Sequence, residues 1–414
     1  MKTRRFFFSG VGGAGMTPLA ELLLGRGAQV SGSDEVESAN TQKLRQLGAT
    51  IHIGHAAHNV PENTELFIYS SAIPVENPER IEAEKRGICQ LRRGDFLAEF
   101  AKLYRRVAAV SGSHGKSSTS AMLAHILRAA QLAPGVMIGA KIYGAPDADN
   151  GKNDDVFVCE ADESDGTHTR LETYLGIVPN VDGDHAWSVG GEAQLYENFR
   201  IFARQANHLI CGDSPRCREL FADHPDVAFV APPTGTYANF DGFQAIDARL
   251  AVEGAKRFGV AENFAIQSLA DFGGVERRMH VVAEQDGVVI VEDYAHHPVE
   301  VAASIDLMRR KFPQCHLEVV FQPHRYARLE RYFDEFVRVL SAADSVIVTD
   351  VFAAWSETGA RGGKELAAAI PGASFGGNDF AAIAKMAKAD PARPLVIAVI
   401  GAGSVNRTLE FLCR

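Results

Sequence analysis

Val107-Ala-Ala-Val110-Ser111-Gly112-Ser113-His114-Gly115-Lys116-Ser117-Ser118-Thr119 is the stretch from which the fold of this chain is read. A short apolar run enters a glycine-rich turn, and a helical pattern opens at Lys116. Glycines at such a turn let the backbone curl until its N–H groups point at phosphate oxygens, and a helix N-terminus adds favourable potential. Lys116 suits the β and γ phosphates of a nucleotide, and the Ser117 hydroxyl suits Mg²⁺. Val110 stands where the strict P-loop pattern has glycine, so this is a variant of it.

Outward from that junction, short apolar runs alternate with helical patterns along the chain, the signature of parallel sheets covered by helices. Upstream, the spacing predicts strands over 6–9, 29–31 and 66–69 and helices from Gly15 and over 41–47. Downstream, a third block opens near Val281, with strands over 288–292, 317–321, 345–348 and 395–400. Tyr104-Arg-Arg and Arg277-Arg-Met-His read as hinges, which gives domains over 1–105, 106–279 and 280–414. The stretch 222–241, rich in Pro and Gly, reads as a loop at the edge of the middle domain with one short strand.

Several strand ends carry chemistry. Gly10-Val-Gly12-Gly13-Ala14-Gly15 follows the first strand, and Asp34 follows the second. This is the dinucleotide-binding fingerprint, in which glycines admit a pyrophosphate and the acid meets a ribose; by itself it does not separate NAD from a nucleotide sugar. Cys159-Glu160-Ala-Asp162-Glu-Ser-Asp165 follows the run 156–158, so Glu160 or Asp162 is placed to hold Mg²⁺. Asn180-Val-Asp-Gly-Asp184-His185 ends another apolar run. Glu292-Asp293-Tyr294-Ala-His296-His297-Pro298 pairs two histidines without a nearby third ligand, which disfavours zinc. Gln322-Pro-His324-Arg325-Tyr-Ala-Arg328 suits recognition of a carboxylate or phosphate. Gly401-Ala-Gly403 reads as a packing turn.

The bulk numbers exclude other classes. A chain of 414 residues, 46% apolar and 23% charged, is a globular protein too long for one ordinary core. Its net charge of −10 disfavours nucleic acid. Six cysteines without paired spacing argue against a zinc cluster or a disulfide framework and fit the cytoplasm. Phe6-Phe-Phe8 is too short for the apolar core of a signal peptide, and no run approaches the roughly 18 apolar residues of a membrane span.

Taken together, these motifs resemble the Mur ligases over nearly the whole chain. Gly10 through Met16 with Gly32-Ser-Asp34 looks like that family's nucleotide-sugar loop, and Ser70-Ser71-Ala-Ile-Pro with Asn77-Pro-Glu79 like its second UDP-contacting segment. Gly112-Ser-His-Gly-Lys-Ser-Ser118 matches its Gly-Thr-His-Gly-Lys-Thr-Thr loop, with every hydroxyl kept. The acidic segment at Glu160, the Asn180–His185 pattern, and the Asp293 and Gln322 segments follow in the family's order.

The resemblance implies three α/β domains, each a parallel or mostly parallel sheet flanked by helices: Rossmann-like, P-loop and Rossmann-like. It implies an ATP- and Mg²⁺-dependent ligase of peptidoglycan precursor synthesis that activates a carboxylate as an acyl phosphate. UDP-N-acetylmuramate and L-alanine are the implied substrates. The implied UDP-sugar site is Gly12, Gly13, Ala14, Gly15, Met16, Asp34, Ser70 and Ser71. The implied ATP site is Gly112, Ser113, His114, Gly115, Lys116, Ser117 and Ser118, with Gln244, Arg277 and Asp293. Lys116, Glu160 and His185 are the implied catalytic group, with Ser117, Glu160 and His185 on the metal. His296, His297, His324, Arg325 and Arg328 are implied on the amino-acid side. Small molecules rather than nucleic acid or membrane are the expected partners, and a monomer or weak homodimer the expected assembly.

Three departures accompany the likeness. The chain is short around 222–241, the adenine-side His-Asn-x-x-Asn is here Phe243-Gln244-Ala-Ile-Asp247, and Ala186-Trp-Ser-Val follows His185. They leave open a sister ligase with another amine or peptide, such as one used in muropeptide recycling, and an inactive nucleotide-binding relative.

Overall fold

The structure is a computed structural model and describes residues 4–146, 148–354, 358–388 and 394–413. It contains three α/β sheets, and the chain divides into two compact units. Residues 1–240 and 244–273 form the first, and residues 241–243 and 274–414 form the second.

The first unit opens with β1 (Arg5–Ser9), β2 (Gln29–Asp34), β3 (Thr50–Ile53), β4 (Leu66–Tyr69) and β5 (Cys89–Arg92). They form an all-parallel sheet in the order β3-β2-β1-β4-β5. The apolar run Phe6–Phe8 is the middle of β1, and all three rings are buried. Alternation along the strand sends Phe6 and Phe8 to one face, against Phe96 at 5.9 and 6.3 Å, and Phe7 to the other, against Phe67 at 5.3 Å.

The second sheet comprises β6 (Arg106–Val110), β7 (Gly135–Met137), β8 (Ala148–Asp149), β9 (Val156–Glu160), β10 (Thr173–Val178), β11 (Ala206–Gly212) and β12 (Val227–Val230). Its order is β12-β11-β10-β6-β9-β7-β8, parallel except for the β7/β8 pair. It shares a hydrophobic core with the first sheet, where Tyr104 stacks on Phe157 of β9 at 4.7 Å. The expected loop over 222–241 holds one strand, β12, at the sheet edge, followed by a tight turn closed by Tyr237 and Phe240.

The second unit holds β13 (His280–Gln285), β14 (Val288–Asp293), β15 (His316–Phe321), β16 (Ser345–Thr349), β17 (Ser374–Gly377) and β18 (Leu395–Ile400). Their order is β13-β14-β18-β15-β16-β17, parallel apart from β13. Central strands such as β18 are buried at every position, which is why they read as unbroken apolar runs.

The strands that apolar runs do not reveal, among them β3, β5, β8 and β17, lie at sheet edges and are largely half-exposed. Likewise β2 runs three residues past the expected Ser31, because Ser33 continues the ladder opposite Ser9.

Candidate active site

The order β10-β6-β9 brings three separate sequence motifs side by side. The Lys116 loop leaves β6, flanked by the acidic segment after β9 and by Asn180–His185 after β10. Ligands gather at such carboxyl ends of parallel strands. Gly115 caps the helix Lys116–Ala129 at φ +84°, a left-handed conformation suited to glycine. A Cβ there would lie 2.5 Å from Asp247 Oδ1, and one on Gly112 would lie 2.8 Å from the Asn180 carbonyl. Among the described residues the N–H groups of Gly115, Lys116 and Ser117 meet no acceptor, which leaves an anion cradle.

Asn180 clamps that loop: its carbonyl accepts from Ser113 N (3.1 Å), its Oδ1 from His114 N (2.9 Å), and its Nδ2 donates to His114 O (3.1 Å). Asp182 Oδ2 lies 2.7 Å from His114 Nε2. Burial opposes ionisation of Asp182, yet His114 and the Ser113 and Asp184 contacts hold its carboxyl well below the usual range.

The Lys116 ammonium is turned inward, donating to Gly112 O at 2.6 Å and to Glu163 at 3.0 Å. Burial alone would lower its pKa; Glu163, Asp162 and Glu160 outweigh burial and raise it, so the charge is kept. Glu163, 1% exposed, also takes His185 Nδ1 at 2.6 Å, while Asp184 lies 3.3 Å from His185 Nε2. Glu160, expected on the metal, accepts from Gly139 N at 3.0 Å. Glu163 is therefore the carboxylate found between the lysine and the histidine.

The first sheet repeats the arrangement. The Gly10–Gly15 loop after β1 lies between Asp34 at the end of β2 and Ser70 just after β4. Asp34 Oδ2 accepts from Gly12 N at 2.8 Å, and Ser70 N donates to Ser9 O at 3.1 Å. Ser71 is exposed beside it. Beneath the loop, the fully buried Glu79 accepts from Ser9 Oγ (2.7 Å), Ser33 Oγ (2.6 Å) and Asn59 Nδ2 (2.8 Å).

In the second unit, residues following β14, β15 and β18 converge. Arg277, at φ +59°, donates from Nη2 to Gly401 O (2.7 Å) and pairs with Glu292 (2.9 Å). Asp293 accepts from Met279 N (3.0 Å) and Ala295 N (2.8 Å), and burial pushes its pKa up to about 6 against the pull of Arg278. Burial likewise lowers that of His296 to about 4 despite Glu300. His297 caps the helix Pro298–Lys311 in a capping box with Glu300. His324 lies between His296 and a stacked Phe352, with Arg328 Nη1 3.3 Å from its Nδ1, and Arg325 takes φ +66°. Gly403 packs against Phe352 and Gln322, in keeping with a packing turn.

Two family models match this chain. One, described as Mur ligase family, catalytic domain, covers residues 6–105, and the other, Mur ligase, glutamate ligase domain, covers residues 277–403. A UDP-N-acetylmuramate–L-alanine ligase of Sorangium cellulosum is 36% identical over 389 residues, covering 85% of this chain and 82% of the relative. The chain belongs to the Mur ligase family. A second Mur ligase of the same name, from Aquifex aeolicus, is 33% identical over 445 aligned residues, covering 99% of this chain and 97% of its own. The fold agrees: a crystal structure of a UDP-N-acetylmuramate–alanine ligase from Thermotoga maritima superposes with a TM-score of 0.84. That superposition covers 99% of this chain and 98% of the other at 22% identity.

For this Mur ligase, motif reading leaves out Glu163, Asp182 and Asp247. Glu163 is visible only as the second glutamate of Glu-Ala-Asp-Glu. Asp247, in the position of the second Asn of His-Asn-x-x-Asn, is held to the loop helix by Thr119 Oγ1 at 3.3 Å. Gln244 lies in the same helix, Gly242–Arg257. Among the described residues, no helix is long and apolar enough to cross a membrane.

Proposed function

We propose that this Mur ligase joins L-alanine to UDP-N-acetylmuramate, using ATP to activate the lactyl carboxylate as an acyl phosphate. The carboxylate oxygen attacks the γ-phosphorus and ADP leaves; the amine of alanine then attacks the acyl carbon and phosphate leaves. The observation that carries the reading is the charged, half-buried Lys116 on an open N–H cradle, flanked by Glu163 and His185. Phosphoryl transfer depends mainly on positioning and charge neutralisation, and this site offers both. The incoming α-amine has a free pKa of about 8, so part of it is already unprotonated at neutral pH.

Mg²⁺ fits the donor set. Ser117, Glu160 and Glu163 offer oxygen and His185 offers nitrogen, all at the carboxyl ends of adjacent strands or the helix start beside them. Bound there, the ion would neutralise phosphate charge. We assign residues 1–105 to the UDP-sugar, 106–279 to ATP and 280–414 to the amino acid, with Arg325 and Arg328 as carboxylate partners. A reaction on ATP and a nucleotide-linked precursor belongs in the cytoplasm.

The test is phosphate release from Mg²⁺·ATP with UDP-N-acetylmuramate present and alanine, serine or glycine supplied singly. Release that needs both sugar and alanine, with the ligated product seen by mass, is the expected result. Sugar binding without release for any amino acid would overturn it in favour of a different amine or an inactive binder.

A further inference from the structure

Arg93 begins the helix Arg93–Ala101 directly after β5, and its side chain is 13% exposed. One end of its guanidinium is committed to the acidic segment after β9: Nη2 donates to Asp165 Oδ2 at 2.5 Å, with Thr167 Oγ1 at 3.4 Å and Asp162 Oδ2 at 3.5 Å. Asp165 is itself fixed, since its Oδ1 accepts from Thr167 N (3.0 Å) and Thr167 Oγ1 (2.6 Å). The other end leans on the glycine loop after β1, where a Cβ on Gly15 would lie 2.8 Å from both Cδ and Nη1 of Arg93. Among the described residues, Nη1 and Nε of Arg93 and the N–H groups of Ala14 and Gly15 meet no acceptor.

One cation thus spans two ligand sites. Its Nη1 faces the glycine loop, and its engaged Nη2 holds the segment that carries Glu160 and Glu163. We propose that Arg93 binds an anionic oxygen of the nucleotide sugar through Nη1, while Nη2 keeps its grip on Asp162 and Asp165. Filling of the sugar loop is thereby coupled to the acidic segment beside Lys116. The planar fork of arginine serves two anions in fixed directions; a lysine ammonium at the same place holds one. The inference rests on reading the Gly10–Gly15 loop as the sugar site.

The experiment is calorimetric titration of UDP-N-acetylmuramate into the parent, Arg93→Ala and Arg93→Lys, each with and without Mg²⁺ and a non-hydrolysable ATP analogue. Loss of a charged hydrogen bond weakens binding roughly 10- to 100-fold, which is the expectation for Arg93→Ala. The ratio of sugar Kd values with and without nucleotide is expected to approach one in both variants, an effect that loss of packing alone does not produce. A folded Arg93→Ala with sugar Kd within fivefold of the parent overturns the proposal; if that variant does not fold, a nucleotide dependence of the sugar Kd in Arg93→Lys as large as in the parent overturns it. A parent that binds the nucleotide analogue but no sugar refutes the sugar-site reading, and the proposal with it.

Discussion

The Lys116 site of the first unit and the strand-end cluster of the second are built alike and treat charge in opposite ways. Both sit at the carboxyl ends of parallel strands and both gather histidines, carboxylates and cations. In the first, the carboxylates around Lys116 overcome burial and keep its charge, and loop N–H groups remain open. In the second, burial prevails: Asp293 is pushed towards its neutral form, and its oxygens are taken by backbone N–H groups. His296 is likewise held neutral, and His297 caps a helix. The same residue types thus keep charge in one place and lose it in the other, and the neighbours decide which.

The sharpest way to break this comparison is at Lys116. Lys116→Ala should lower turnover by about 10³-fold, because a preorganised charge is removed from the transferring phosphoryl group. UDP-sugar affinity, measured by titration, should stay within about threefold.

Next in size is Glu163→Ala. Removing a buried partner of Lys116 and His185 leaves uncompensated charge, so unfolding free energy should fall by about 3 kcal/mol. Glu160→Ala, whose half-buried carboxylate accepts from Gly139 N, should cost less, about 1–2 kcal/mol. Equal losses in denaturant melts would erase the distinction drawn between the two glutamates.

Asp293 gives a pH signature. Its folded pKa is raised from an ordinary 3.8 to about 6, so the stability it contributes is complete below about pH 4 and lost as pH rises through 6. The loss is roughly 2–3 kcal/mol. Asp293→Asn gives up one of two acceptors and should be less stable at pH 4, with the gap to the parent narrowing by that amount at pH 7. His296, lowered to about 4, acts in the opposite direction as pH falls below about 6.5 and is common to both proteins, so the difference between them isolates Asp293.

The smallest effect is at the cap. His297→Ala should cost about 1 kcal/mol with little change in nucleotide binding.

These contrasts also explain what was legible beforehand. A central strand is an unbroken apolar run, and the motif following it is read from spacing; the Gly10, Lys116, Asp293 and Gln322 segments were visible for that reason. Edge strands such as β3 and β5 lack that signal. Within a segment, spacing does not say where a side chain points: Glu160 and Glu163 are three residues apart, and only the turn after β9 decides which meets Lys116. Partners far along the chain are hidden in a different way. Arg93 is one arginine in a charged stretch until the fold sets it between Gly15 and Asp165. Asp247 is reached 128 residues after Thr119.

The most direct test of the central claim is isotopic. UDP-N-acetylmuramate carrying ¹⁸O in its lactyl carboxylate is incubated with Mg²⁺, ATP and L-alanine, and the released phosphate is weighed by mass spectrometry. An acyl phosphate predicts one ¹⁸O in each phosphate, transferred from the carboxylate whose oxygen attacked phosphorus. Unlabelled phosphate, at a rate independent of alanine, would contradict the account and reduce the site to one that hydrolyses ATP.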